Sequence, residues 1–348
     1  MFGWRLSLKK YIFYLLLFLI LASCSSIQIN IDKTSLNKNK KQILKDFSPG
    51  NPEDLRDYIE NFDLNEKTFI PKSVKLKSVK ELTSWHIKTK KDINYKKWTF
   101  DSPFYNLDIP GDALFYVMQQ NSWENSKVIL WIPGFGISDM AFTFLKRFFT
   151  FEIKEGYNIV IYIPPYHMDR QKKGEAAGSG LLSSSPLDNV KKMVNSVKEL
   201  RTVYQYLENR KVRSISMWGG SMGGAFALML QSLEDFDHLS LMIPVLDWNS
   251  FITPESVLPQ YIEAGFDKNL IQAAYALISP VNYKLTIPPE KVQVEAAEFD
   301  QLNPIKKTKN YCNVNNIKNF SIYPSGHATI LLYKDVYRDY EKFLFSLK

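Results

Sequence analysis

Cysteine and histidine are scarce in this chain of 348 residues, which contains two cysteines and four histidines. The two cysteines, Cys24 and Cys312, cannot build a disulfide framework, so the hydrophobic core has to supply the stability of the fold. We expect Cys312 to be a small buried residue rather than a nucleophile. No H-E-x-x-H motif and no cluster of histidine and cysteine ligands occurs in the sequence, so no metal site is predicted.

Signatures of nucleotide and nucleic-acid binding are missing as well. The chain contains no Walker loop, and its glycine-rich stretch at 219–224 does not form G-x-G-x-x-G. The net charge of +8 comes mainly from lysines scattered along the chain, with the densest runs at 37–45 and 72–97. We interpret these lysines as a solvated basic surface that is compatible with weak attraction to anionic membranes. The sequence therefore predicts neither a cofactor nor a nucleic-acid partner.

A positively charged N-terminus precedes a short apolar run from Tyr11 to Leu21. This run is shorter than the ~20 residues of a membrane-spanning helix and is typical of an export signal. It ends in Leu21-Ala22-Ser23-Cys24, which resembles a bacterial lipobox. The resemblance implies removal of residues 1–23, lipidation of Cys24, and attachment to a cell-envelope membrane through the lipid anchor. An ordinary signal peptide and a signal anchor are the alternatives.

The composition divides the rest of the chain into three segments. Residues 24–46 are polar and rich in lysine and asparagine, so we expect a flexible tether. Residues 47–97 are basic with isolated apolar residues, which indicates an N-terminal extension containing a short helix at 52–62. From residue 98 to residue 348, apolar strands alternate with amphipathic helices. This alternation predicts an α/β fold whose mostly parallel sheet is covered by helices on both faces.

The predicted strands and helices follow from the apolar periodicity. Strands are predicted at 98–104, 113–118, 128–132, 159–163, 214–218, 239–245, 292–296 and 320–323. Helices are predicted at 141–153, 186–208, 225–230 and 330–347. An insertion at 251–289, with helical stretches at 257–264 and 269–278, separates two of the strands. Its leucine, tyrosine, phenylalanine and isoleucine side chains belong either to an acyl pocket or to the ordinary core.

The clearest chemical signal lies between Arg213 and Leu228, where the sequence reads RSISMWGGSMGGAFAL. A β-favouring run at 214–218 leads into a G-x-S-x-G pattern around Ser221, and a helix-forming run follows. A serine on such a sharp strand-to-helix turn needs small neighbours, and the turn lifts its hydroxyl above the sheet. The backbone N–H of Met222 then lies at a helix N-terminus, where it can hold an oxyanion. A plain glycine–serine loop is the alternative.

Residues 98–348 resemble the α/β-hydrolase superfamily in several motifs that stand in the family's chain order. These motifs are Pro133-Gly134-Phe135-Gly136 after a strand, the turn at Ser221, the run from Glu298 through Asp300 to Pro304, and Ser325-Gly326-His327 after the last strand. The resemblance implies an eight-stranded sheet with a small helical cap. It also implies a catalytic triad of Ser221, Asp300 and His327, with the backbone N–H groups of Phe135 and Met222 forming an oxyanion hole. Histidine often precedes the glycine of the oxyanion loop in this family, and here Pro133 takes that place.

The residue types of this triad suit nucleophilic catalysis. A serine hydroxyl is a poor nucleophile until a base removes its proton, and His327 titrates near neutrality. A carboxylate that fixes the histidine tautomer and stabilises the imidazolium completes the set, and we assign this role to Asp300. Asp247 is the rival acid, because it ends the strand after the serine helix and some family members carry the acid there. Asp300 as a turn residue and His327 as a structural histidine are the simpler alternatives.

A narrower resemblance rests on Pro164-Pro165-Tyr166-His167, on Gly178-Ser179-Gly180 and on the Ser-Gly-His ending. These runs are similar to a branch of the superfamily that includes bacterial relatives of α/β-hydrolase domain-containing protein 18. Two interpretations of His167 are open, since it lies at the carboxyl end of a strand: it lines the site, or it holds the turn together. We expect the other two histidines, His86 and His238, at the surface.

The leading hypothesis is a serine hydrolase that acts on carboxylic esters, with a small-molecule or lipid ester as substrate. Attack by Ser221 would give an acyl-enzyme, which water then releases. A peptidase or an acyltransferase that uses the same triad is an alternative. A non-catalytic lipoprotein that keeps the fold as a binding module is another, although a pseudoenzyme usually loses one member of its triad.

Overall fold

The computed structural model describes residues 25–45, 47–63, 66–82, 95–104, 111–253 and 255–347. The predicted signal peptide at 1–23, the predicted lipidation site Cys24 and His86 lie outside the described residues. Among the described helices, none combines the length and the apolar character that crossing a membrane requires.

The described strands form one sheet of nine strands in the order β1-β2-β3-β5-β4-β6-β7-β8-β9. The pairs β1–β2, β2–β3 and β3–β5 are antiparallel, and the remaining pairs are parallel. The strands are β1 (Leu76–Leu82), β2 (Tyr95–Phe100), β3 (Ala113–Met118), β4 (Lys127–Ile132), β5 (Tyr157–Ile163), β6 (Ser214–Gly220), β7 (Leu239–Met242), β8 (Val292–Ala297) and β9 (Asn319–Tyr323). The mostly parallel sheet confirms the predicted α/β fold class.

The sheet has one strand more than the eight that the sequence predicts. The additional strand is β1, which comes from the predicted N-terminal extension at 47–97 and pairs with β2. Its sequence, LKSVKEL, is largely polar, and even Val79 is 49% exposed. An edge strand of this kind shows no apolar pattern, because the backbone hydrogen bonds to its neighbour hold it in place rather than burial of its side chains.

Helices cover both faces of the sheet, and each face has its own hydrophobic core. The helices are α1 (Ser25–Lys45), α2 (Pro52–Glu60), α3 (Asp139–Lys154), α4 (Pro186–Glu208), α5 (Met222–Gln231), α6 (Leu258–Glu263), α7 (Lys268–Ala276), α8 (Ile305–Val314) and α9 (Lys334–Ser346). Along β4, Leu130 packs with α4 and α5, whereas its neighbour Trp131 packs with α3 and α9. Adjacent residues of a strand point to opposite faces, so the apolar residues 128–132 of β4 contribute to both cores.

The predicted insertion at 251–289 lies between β7 and β8 and carries the two short helices α6 and α7. Helix α7 begins at a capping residue, Asp267, whose side chain accepts hydrogen bonds from the N–H groups of Asn269 and Leu270. Its buried residues Ile271 and Tyr275 join the core on the α4 and α5 face. The insertion is therefore an integral part of that core as well as a cap.

The segment expected to be a flexible tether, residues 24–46, contains the helix α1 in the structure. Two polar residues of this helix, Gln28 and Asp32, are 0% and 1% exposed. Both bind the segment that follows β9: Gln28 Nε2 donates to the Pro324 carbonyl, and Asp32 accepts from the backbone N–H of His327. The expectation of a tether is wrong because it was based on polar composition alone. Here the polar side chains find backbone partners and become buried.

Candidate active site

The sharp turn between β6 and α5 holds Ser221 in a backbone conformation with φ 51° and ψ −117°. This φ is unusual for a residue that is not glycine, and it shows a strained position of the kind found at functional sites. The neighbouring glycines are needed for close packing. A Cβ on Gly223 would lie 1.8 Å from the Ile132 carbonyl oxygen, and one on Gly219 would lie 2.8 Å from the Gly223 carbonyl oxygen. No larger residue fits at either position, which explains the G-x-S-x-G pattern.

The structure brings Ser221, His327 and Asp300 together in one chain of hydrogen bonds. Ser221 Oγ lies 2.9 Å from His327 Nε2, and His327 Nδ1 lies 2.8 Å from Asp300 Oδ2. Since a carboxylate only accepts, the Nδ1–H group donates to Asp300, which leaves Nε2 free to accept from the serine hydroxyl. The other carboxylate oxygen, Asp300 Oδ1, accepts from the N–H groups of Leu302 and Asn303, both at 2.8 Å. These two bonds fix the orientation of the carboxylate.

The surroundings of His327 raise the pKa of its imidazole above the ordinary value. Burial lowers this pKa, but the charge of Asp300, its hydrogen bond and the charge of Asp32 outweigh the effect of burial. These surroundings therefore favour the protonated form of the His327 ring. Asp32 was not singled out in the sequence, because nothing local connects it to His327.

The rival acid Asp247 has other partners. Its Oδ1 accepts from the Asn249 N–H at 3.0 Å and so begins the short 3-10 turn Trp248–Phe251, while its Oδ2 accepts from Lys307 Nζ at 2.6 Å. The structure thus joins Asp300, and not Asp247, to the histidine. Both carboxylates follow neighbouring strands, β7 and β8, and their side-chain contacts separate them.

The loop after β4, which carries Phe135, passes directly beside Ser221. A Cβ on Gly134 would lie 3.1 Å from Ser221 Cβ, so the loop and the serine turn are in close contact. Met222 follows Ser221 as the first residue of α5, where backbone N–H groups have no partner within the helix. Both predicted oxyanion-hole residues, Phe135 and Met222, also line the cavity that contains Ser221. The lining of the cavity thus includes both residues that the sequence predicts for an oxyanion hole.

His167 holds this loop. Its Nε2 accepts from the Gly136 N–H at 2.9 Å, and its Nδ1–H donates to the Pro165 carbonyl at 2.7 Å. The side chain is fully buried, and burial lowers its pKa to about 4, so the ring is neutral at neutral pH. Of the two interpretations of His167, its contacts favour the second, since it binds the turn and the loop and is absent from the cavity lining.

The glycine-rich run Gly178-Ser179-Gly180 packs against this arrangement. A Cβ on Gly178 would lie 2.9 Å from His167 Nε2 and 2.9 Å from the Phe135 ring. Gly178 also has a φ of +84°, which disfavours any side chain there. The run therefore packs against the loop that carries Phe135 and limits its movement on that side.

A cavity of about 380 Å³ opens next to Ser221. Its walls come from the cap, from the segment after β7 and from helix α1, and the lining is mostly apolar. The apolar lining residues are Leu36, Ile43, Phe135, Leu182, Met222, Val245, Trp248, Phe251, Ile252, Val257, Tyr261, Tyr275 and Leu302. Lys33 and Lys40 from α1 also reach it. The apolar residues of the insertion that line the cavity, such as Tyr261 and Tyr275, also belong to the core, so both interpretations of this segment apply. The contribution of α1 was not foreseen.

The structure also shows how far Cys312 and His238 are buried. Cys312 is 2% exposed, as expected for a small core residue. His238 was expected at the surface but is 1% exposed, because its ring packs edge-on to Tyr157 and Phe343 and its Nδ1 contacts Ser216 Oγ. Within the part of the chain that the structure describes, no group of three or more His, Cys, Asp or Glu side chains could hold a metal ion.

No protein-family model and no curated protein sequence matches this chain. Many solved structures do. The esterase Pf2001 of Pyrococcus furiosus is 16% identical with a TM-score of 0.45, over 86% of this chain and 96% of that chain. Est1E from Butyrivibrio proteoclasticus, solved with ferulic acid, is 14% identical with a TM-score of 0.48, over 72% and 98%. The acylaminoacyl peptidase of Pyrococcus horikoshii is 14% identical with a TM-score of 0.46, over 78% and 41%.

Likeness at this level concerns the fold alone. The strand order of the sheet, its parallel part from β5 to β9 and the serine turn between β6 and α5 define an α/β-hydrolase fold. The chemistry has to be argued from the residues of the site.

Proposed function

We propose that this protein is a serine hydrolase that cleaves carboxylic esters with an apolar acyl group. The observation that carries the proposal is the hydrogen-bonded chain Ser221–His327–Asp300 at the wall of an apolar cavity. A serine in strained backbone geometry, with its hydroxyl bonded to an oriented histidine, is the arrangement that nucleophilic catalysis needs.

The proposed reaction has two halves. In the first, Nε2 of His327 takes the hydroxyl proton of Ser221 while Oγ bonds to the ester carbonyl carbon. The negative oxygen is then held by the backbone N–H groups of Phe135 and Met222. The imidazolium returns its proton to the leaving alkoxide as the C–O bond breaks, which yields an alcohol and an acyl-enzyme. In the second half, water repeats the sequence: His327 takes its proton, a carboxylic acid leaves, and the serine hydroxyl is restored.

The cavity supports an apolar acyl group as the part of the substrate that is bound. Its volume lies in the range of small-ligand sites, and most of its lining side chains are apolar. An aliphatic chain gains free energy by leaving water for such a surface, at about 25 cal/mol for each Å² buried. A lipid-like ester therefore suits the site better than a short, polar one.

We also propose that the enzyme is exported and held at a cell-envelope membrane by lipid on Cys24. This proposal is supported by the sequence alone, through the short apolar run and the lipobox-like Leu21-Ala22-Ser23-Cys24. Helix α1 begins directly after this cysteine, so the lipid would anchor a helix that lines the cavity.

A fluorophosphonate probe tests the proposed chemistry, because it reacts only with an activated serine. We expect the wild-type protein to be labelled and Ser221→Ala to lose labelling with an unchanged thermal unfolding curve. Ser232→Ala is the matched control, because Ser232 ends the same helix and donates to a backbone carbonyl instead of to a histidine. A folded wild-type protein that takes no label would leave only the binding-module alternative. Equal labelling of wild type and Ser221→Ala would remove Ser221 as the nucleophile.

A further inference from the structure

A carboxylate from the N-terminal helix lies against the backbone that carries the base. Asp32, on α1, is 1% exposed, and its Oδ2 accepts from the N–H of His327 at 2.9 Å and from the N–H of Gln301 at 3.2 Å. Its Oδ1 lies 3.4 Å from the N–H of Ala328 and accepts from it. A buried carboxylate needs such donors, and these backbone N–H groups need an acceptor. The contact is thus favourable for both sides.

These bonds join the two loops that supply the acid and the base. Gln301 directly follows Asp300, and Ala328 directly follows His327, so one side chain of α1 binds next to each of them. The two loops otherwise come from the ends of different strands, β8 and β9. A backbone hydrogen bond from the Phe299 N–H to the Ser325 carbonyl at 2.9 Å already links these loops, and Asp32 adds a second link from outside the sheet.

The packing around Gly326 shows how close the helix lies. A Cβ at this position would be 3.1 Å from Gln28 Cβ and 3.2 Å from Asp32 Oδ2, and the nearest atoms all belong to α1. Gln28 adds a hydrogen bond from its Nε2 to the Pro324 carbonyl at 3.2 Å. The histidine loop is thus shaped to accept this helix, since a side chain larger than that of glycine would push the two apart.

Asp32 influences His327 in two ways, through its hydrogen bond to the backbone and through its negative charge. His327 faces the Ser221 hydroxyl, the Asp300 carboxylate and the Asn303 amide through its ring, and Asp32 through its backbone. Both carboxylates favour the protonated ring. Asp32 thereby stabilises the imidazolium that the reaction passes through, without touching the substrate.

We infer that Asp32 is a positioning residue for the catalytic base, and that α1 completes the active site by holding the histidine loop and the acid turn together. This inference rests on the proposed hydrolase function. It assigns a role in the chemistry to a helix that lies nearly 300 residues away from the base in sequence, as the separation of 295 positions between Asp32 and His327 shows.

Two variants of Asp32 test the inference. Asp32→Ala removes both the charge and the acceptors, and Asp32→Asn keeps one oxygen acceptor and nearly the same shape. With a p-nitrophenyl acyl ester, we expect Asp32→Ala to lower kcat by ~10–100-fold, because a base misplaced by about 1 Å costs up to this much. We expect KM to change by less than about 3-fold.

The acid limb of the pH–rate profile should move to lower pH in both variants, because the charge that raises the pKa of His327 is gone. Asp32→Asn should keep more of the rate than Asp32→Ala.

The control on the same helix is Lys38→Ala, which removes an exposed side chain outside the cavity lining and should leave kcat and the pH limb unchanged. Thermal unfolding establishes that each variant is folded, and Asp32→Asn decides the question if Asp32→Ala does not fold.

Fluorophosphonate labelling separates this inference from the proposed function. An unlabelled wild-type protein contradicts the function itself. A labelled wild type together with folded Asp32 variants that show the wild-type kcat and pH limb overturns the role of Asp32 alone.

Discussion

Asp300 Oδ2 lies 2.8 Å from Nδ1 of His327, and this contact fixes which ring nitrogen carries the proton. Because Nδ1–H donates to Asp300, the lone pair of Nε2 points to Ser221. A histidine without such an acceptor would populate both tautomers, and only one of them can take the serine proton.

The acid assignment can be checked by replacing each carboxylate with its amide. Asp300→Asn should lower ester turnover by ~10³–10⁴-fold, since the amide no longer holds the ring in the active tautomer. Asp247→Asn is the matched change and should cost only a few-fold, because Asp247 binds Lys307 instead of the histidine. Steady-state kinetics on both purified variants gives the comparison. If Asp247→Asn were the more damaging change, the acid would have to be reassigned to the end of β7.

The role of His167 can be separated from a general loss of stability. His167→Asn should lower kcat by ~10–100-fold, because the Gly136 N–H loses its acceptor and the loop carrying Phe135 loses its fixed position beside Ser221. The matched control is His238→Asn, since His238 is equally buried but contacts Ser216 within the core. We expect this control to lower the unfolding temperature and to leave kcat per folded molecule unchanged. Equal kcat for the wild type and His167→Asn would contradict the positioning role.

Acid should destabilise the protein partly through His167. Its pKa in the folded state is about 4, compared with 6.5 for an ordinary histidine, so the unfolded chain binds the proton first. The free energy of unfolding should therefore be unaffected by this group above pH 6.5 and should fall as the pH drops from 6.5 towards 4. Over this range, protonation of His167 in the unfolded chain lowers the free energy of unfolding by roughly 3 kcal/mol in total.

Urea unfolding of the wild type and of His167→Asn at pH 7, 5.5 and 4 measures this contribution. The difference between the two proteins removes the effects of His238, His327 and the carboxylates that both share. The wild type should lose more stability than the variant between pH 7 and pH 4. Parallel losses in the two proteins would show that folding does not lower the pKa of His167.

The lipid anchor is tested by changing its proposed attachment site. Wild-type protein made in a bacterial host should incorporate labelled fatty acid and enter the detergent phase of a Triton X-114 extraction, because two acyl chains are enough for stable binding. Cys24→Ser should lose both properties. If Cys24→Ser stays on the membrane and mass spectrometry finds residues 1–23 still attached, the apolar run 11–21 is a signal anchor.

The sequence by itself determined the parts of the site that depend on neighbouring residues. The strand, the glycine-flanked serine and the helix at 214–231 are one continuous stretch, and the sharp turn around Ser221 imposes its own residue types. From residue 98 on, the order of the strands and of all helices except α8 was likewise visible, because most buried strands are apolar and these helices have one apolar face. Asp300 and His327 could be proposed because the runs that carry them follow strands and resemble the acid turn and the histidine loop of the α/β-hydrolase superfamily.

The sequence favoured Asp300 over Asp247 because of the turn pattern that ends in Pro304, but only the tertiary structure shows which carboxylate meets the histidine. It also decided that residues 25–45 form a packed helix instead of a tether. The reason is that the buried Asp32 carboxylate accepts hydrogen bonds from backbone N–H groups that lie 269 to 296 positions away in the sequence. A polar segment is expected to be exposed and flexible when its side chains have no hydrogen-bond partners in the protein. This expectation fails for residues 25–45, because the partners come from the far end of the chain and cannot be recognised in the local sequence. His167 follows the same rule, since its role depends on the N–H of a glycine in another loop.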